Sequence, residues 1–97
     1  MKPIRFHPAA RAEMKVSLLW YSEQSDSAAV GFSAELRGAY SAIRSDPQLY
    51  PTYLHGTQRI LLKRYPFSVV YRELLDSITV LAVAHAKRRP GYWKSRL

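Results

Sequence analysis

Few side chains in this chain of 97 residues could carry chemistry. Among its three histidines, His85 closes the apolar run from Ile78 to Ala84. Histidine titrates near neutral pH, so His85 could pass a proton; a lone histidine at a strand end serves a structural role equally well. His7 and His55 have no neighbours that suggest a site. The absence of cysteine excludes thiolate nucleophiles, thiolate zinc sites and disulfides. No histidine pair or carboxylate cluster has metal-ligand spacing, so neither a metal nor a cofactor is expected. Glycine-rich phosphate loops and nucleophile elbows are also missing.

Positive charge is the stronger signal. Fifteen lysines and arginines against seven acids leave a net charge of +8. Such a surplus on a small domain suggests a polyanionic partner, either nucleic acid or an acidic protein. One concentration of charge is the tail, where Lys87, Arg88, Arg89, Lys94 and Arg96 surround Tyr92 and Trp93. Single-stranded nucleic acid binders use that mixture, with cations tracking the backbone and rings stacking on bases. The same composition suits a tail whose Trp93 is tucked onto a sheet.

The elements that must position these residues follow from spacing. Apolar residues make up 47% and charged residues 23%, ordinary for one globular domain. The longest apolar run is too short to span a bilayer, and the first eight residues hold no apolar stretch for a signal peptide. The chain is therefore expected in the cytoplasm, with no membrane partner. Lys2 to His7 reads as an edge strand, and Pro8 suits the first turn of a helix. A helix over Ala9 to Glu23 has one apolar stripe of Ala9, Ala12, Val16, Leu19 and Trp20 and another of Met14, Leu18 and Tyr21. A second helix over Ser27 to Ser45, capped by Asp26, aligns Ala29, Phe32, Leu36, Ala39, Tyr40 and Ile43. Gln48 to Gly56 reads as a loop. Three strands follow at Arg59–Arg64, Phe67–Leu74 and Ser77–His85. Their short connections predict an antiparallel meander, and the order β-α-α-β-β-β predicts an α+β domain with a helical hairpin on one face of a small four-stranded sheet.

Strict alternation divides the sheet into two faces. Ile60, Leu62, Phe67, Val69, Tyr71, Ile78, Val80, Ala82 and Ala84 should meet the helices. Arg59, Leu61, Lys63, Ser68, Val70, Arg72, Thr79, Leu81, Val83 and His85 should form an open face. Its cations could hold phosphates while its aliphatic floor packs on a partner; the plainer reading is a solvated face whose charges protect an edge. The outer side of the hairpin is expected to bind a protein partner or a second copy, through Met14, Leu18 and Tyr21 on the first helix and the small residues around Gly31 and Gly38 on the second.

Several of these segments occur together in order: Phe6-His7-Pro8-Ala9-Ala10, Trp20-Tyr21 and Phe32 in the hairpin, and Lys63-Arg64-Tyr65-Pro66-Phe67. Val69-Val70-Tyr71-Arg72, Val83-Ala84-His85 and Arg88-Arg89-Pro90-Gly91-Tyr92-Trp93 complete the set. On them the chain resembles the RelE/ParE superfamily of toxins from bacterial type II toxin–antitoxin systems, over nearly its whole length. The resemblance implies a single toxin domain over residues 1–97, neutralised by an acidic cognate antitoxin. It implies one of two targets: the ribosome and its mRNA, which RelE-like members cut, or DNA gyrase, which ParE-like members inhibit. For a nuclease it implies that Arg72 and Arg88 hold the phosphate and that His85 or Tyr92 transfers the proton. Arg59, Lys63, Arg64, Lys87, Arg89 and Trp93 would then contact the nucleic acid. A non-catalytic basic module that binds RNA or an acidic protein is the alternative from a different class.

Overall fold

A computed structural model describes all 97 residues. Its elements are β1 (Ile4–Phe6), α1 (Pro8–Gln24), α2 (Asp26–Ser45), β2 (Gln58–Leu61), β3 (Phe67–Glu73) and β4 (Ile78–His85). Single 3-10 turns lie at Leu54–Gly56 and Lys94–Arg96. The strands form one sheet in the order β1-β4-β3-β2. β1 runs parallel to β4, while β4, β3 and β2 are antiparallel neighbours, so the expected α+β order stands. β2 stops at Leu61, which leaves Lys63 and Arg64 in the turn that leads to β3. No helix is long and apolar enough to cross a membrane.

Local chemistry explains the hairpin. His7 accepts the Ala9 N–H on Nδ1 at 3.1 Å, and Pro8 occupies the first helical position where its missing N–H costs nothing. One residue, Ser25, joins the helices. Its N–H donates to the Tyr21 carbonyl at 3.0 Å, and its hydroxyl accepts from the Ala28 N–H at 3.0 Å. Ser25 is therefore the N-cap of α2 in place of Asp26, whose carboxylate sits in the first turn and suits the helix dipole there.

The buried stripe of α2, made of Phe32, Leu36, Ala39 and Ile43, is the one its spacing predicts. On α1 the expected faces are exchanged. Met14, Leu18 and Tyr21 pack into the core, whereas Val16, Leu19 and Trp20 are 69%, 63% and 55% exposed. The buried stripe starts at Ala10, whose small side chain is fully buried and lets the helix approach the sheet. Met14 receives the Tyr40 hydroxyl on its sulfur at 3.2 Å, and the Tyr21 ring lies 4.9 Å from Phe32 and 5.0 Å from Tyr65.

A β-bulge changes β4. Tyr71 pairs with Val80 but Val70 pairs with Ala82, so Leu81 is an extra residue in the ladder. Side chains before it keep the expected phase, and those after it change sides. Ala82 and Ala84 leave the helices for the opposite face, where they pack with Val70 and Trp93. Val83 moves into the main core. His85 likewise turns from the open face, and its ring meets Phe67 edge-on at 5.0 Å.

Candidate functional site

The sheet face away from the helices carries the candidate site, and the tail folds back across it. Trp93, only 1% exposed, lies over Val70, Ala82 and Ala84 with Tyr53 and Tyr92 packed at its sides. The tucked tryptophan is thus the arrangement found, and its ring has no face free for a base.

One side chain on α1 holds this tail. Glu13 accepts the Tyr92 hydroxyl at 2.7 Å and both terminal nitrogens of Arg96 at 2.9 Å. It also accepts the Val83 N–H at 3.1 Å, while Arg96 donates to the Leu81 carbonyl at 3.0 Å. β1 ends at Phe6, so these groups at the rim of β4 have no strand partner and the Glu13–Arg96 pair takes that place. Burial, reinforced by the hydrogen bond to Glu13, pushes the Tyr92 hydroxyl up to about 12. The same carboxylate raises Arg96 through its hydrogen bond.

Beside Trp93 lies a cavity of about 90 Å³, lined by Arg59, Arg88 and Arg89, by Tyr53 and Tyr92, and floored by Ser68, Val70 and Ala84. The Arg59 guanidinium stacks on Tyr53 at 3.9 Å and that of Arg88 on Tyr92 at 3.8 Å. Stacking fixes the planes of both cations and adds attraction to the ring faces. Farther along the face, Arg72 is paired across β4 through Thr79 with Arg5 on β1. The Arg72 Nε is buried and finds no hydrogen-bond partner within the chain.

The remaining expected residues are dispersed. His85 borders the cavity, but its ring packs on Phe67 and its Nδ1 accepts the Lys87 N–H at 3.0 Å. Lys87 itself is exposed just past β4. Arg64 is bound to Glu35 of α2 at 2.8 Å, and the same carboxylate takes the Lys63 N–H at 2.9 Å. Those contacts draw the Lys63–Arg64 turn toward the helices. The hydrogen bond from Arg64 is the main reason the Glu35 carboxyl lies below its ordinary range.

The expected binding surface on the outer hairpin is not assembled as drawn. Met14, Leu18 and Tyr21 point inward, and Gly31 lies under the Tyr65 hydroxyl. Gly38 remains open, beside a groove between α2 and β2. Glu13 and Tyr53 were outside the residues singled out from sequence. Glu13 had a usable signal: it sits among Ala10, Met14 and Tyr21, and a carboxylate beside a core stripe calls for a partner.

The family described as the ParE toxin of the type II toxin–antitoxin system parDE matches this chain over residues 4–90. The fold is similar to a solved structure described as the chromosomal ParDE TA system from P. aeruginosa. The two are 15% identical, with a TM-score of 0.77 over 90% of this chain and 98% of the other. No curated protein matches the sequence.

Proposed function

The chain belongs to the ParE toxin family of type II toxin–antitoxin systems, and from that premise we propose that it arrests growth by binding DNA gyrase and blocking supercoiling. In this reading an acidic cognate antitoxin neutralises it, with the opposite charge speeding their association. Cutting mRNA would require a group that takes the proton of a 2′-hydroxyl while cations steady the phosphate.

Tyr92 carries the choice between the two targets. Its hydroxyl donates to Glu13 and its pKa is pushed up to about 12, so near neutral pH it is neither free nor readily ionised. The side chain of His85 is turned toward Phe67, and one of its nitrogens is already engaged. This leaves arginines beside the cavity without a free general base, which favours a binding toxin over a nuclease.

The test compares two readouts after induction. Supercoiling by purified gyrase should fall with added toxin, and mRNA in induced cells should stay uncut within codons. Tyr92→Phe should keep its growth arrest. Codon-internal cleavage with supercoiling intact, abolished by Tyr92→Phe, overturns the proposal.

A further inference from the structure

The open face has a consistent electrostatic character that inhibiting an enzyme does not by itself require. Four arginines, Arg5, Arg59, Arg72 and Arg88, lie on it or at its rim, and none is in a salt bridge. Of the seven acids only Glu13 reaches the rim, where Arg96 neutralises it. Glu13 and Glu23 are on α1, Asp26 and Glu35 on α2, and Asp46 at the end of α2. Glu73 is tied to Lys2 at 2.8 Å, and Asp76 is in the turn before β4. Apart from that paired Glu13, the face carries one sign of charge on a rigid sheet, which attracts an incoming anion.

Three observations identify that anion. The two guanidiniums stacked on Tyr53 and Tyr92 share one small cavity, a fixed arrangement suited to a phosphate oxygen set. Both rings already carry a guanidinium and Trp93 is buried, so no platform remains for unstacked bases. Apart from Leu61 at the β2 edge, the apolar strip of the face lies beneath Trp93, whereas exposed Val16, Leu19 and Trp20 are on the helical layer. A protein partner needing apolar anchors would find them there instead.

We propose that the open face, through Arg5, Arg59, Arg72 and Arg88, binds the phosphate backbone of double-stranded DNA without reading its sequence. Contacts of this kind position a protein on a duplex and carry no base information. They would place the toxin against DNA independently of its hold on gyrase, so the two proposals can fail separately.

The experiment measures anisotropy of a labelled, mixed-sequence DNA duplex with the full chain from about 50 to 200 mM salt, in the absence of gyrase. Four phosphate contacts predict a log–log salt slope of about −3.6 and about 150-fold weaker binding over that range. Arg72→Gln and Arg88→Gln should each flatten the slope by about 0.9, while Arg44→Gln on the helical layer should leave it unchanged. Circular dichroism confirms that each variant is folded. A wild-type slope near zero, or equal effects at Arg44 and Arg72, overturns the proposal. Tighter binding to single-stranded RNA, or to polyglutamate, would assign the face to another partner and overturn it as well.

Discussion

Glu13→Ala is expected to loosen the tail from the sheet and lower the stability of the whole domain. The substitution removes the acceptor of four hydrogen bonds, two of them from Arg96. Both side chains of the pair are 15% exposed, so Arg96 would be left largely desolvated with no counter-charge. Deleting one member of a buried pair costs about 3–5 kcal/mol, and the residual exposure places this site near about 3. In a domain of this size that is a fall in Tm of about 12 °C or more. Glu13→Gln keeps an amide oxygen but gives up the charge, for a smaller loss of about 1–2 kcal/mol. Urea unfolding followed by tryptophan fluorescence reads both, since Trp93 lies between Tyr92 and Arg96 in the tail. A loss below about 1 kcal/mol for Glu13→Ala would refute the reasoning. Strict additivity of Glu13→Ala with Arg96→Ala in a double-mutant cycle would refute it too.

Two further outcomes follow from local geometry. Gly38→Ala should stabilise α2 by about 0.5–1 kcal/mol, because nothing stands within 4 Å of the added methyl. Gly31→Ala should destabilise despite the same gain in propensity, because its methyl meets the Tyr65 hydroxyl, anchored on the Ala28 carbonyl at 2.8 Å; thermal unfolding of the pair decides this. Burial pushes Tyr40, Tyr71 and Tyr92 up to about 12 from an ordinary value near 10.0, so the folded state favours their neutral forms. That stability is fully present below pH 10 and is lost as pH rises toward 12. Ultraviolet difference spectroscopy should show these three ionising last, and seven tyrosines titrating together near pH 10 in the folded chain would contradict it.

The architecture was legible because each element announces itself locally. Pro8 opens α1, the α2 stripe repeats at helical spacing, and β-branched and aromatic runs mark β3 and β4. The rotation of α1 was not legible, since both its stripes are apolar and only packing against the sheet chooses between them. Nor was the bulge, because an extra residue becomes visible only when the registers of two strands are compared. Its consequences account for the largest departures in the site, including the turning of His85 and the seating of Trp93 on Ala82 and Ala84. The cationic character of the open face was readable from Arg59 and Arg72. Tyr53, on which Arg59 stacks, belongs to a loop whose path depends on the tail.

Leu81 behaves as a change of reading frame within β4. Upstream of it, odd and even positions serve one pair of layers, and downstream the same parities serve the opposite pair. Removing Leu81 itself would restore plain alternation and leave Ala82 opposite Val70, so both alanines would stay beneath the tail. Removing Val83 instead would turn Ala84 to the helices and His85 beneath the tail, and Trp93 would lose part of its seat. A substitution at most sites in β4 thins one contact, whereas a deletion past the bulge rewrites every contact after it. The strand should therefore tolerate a change of length at Leu81 far more readily than anywhere beyond it.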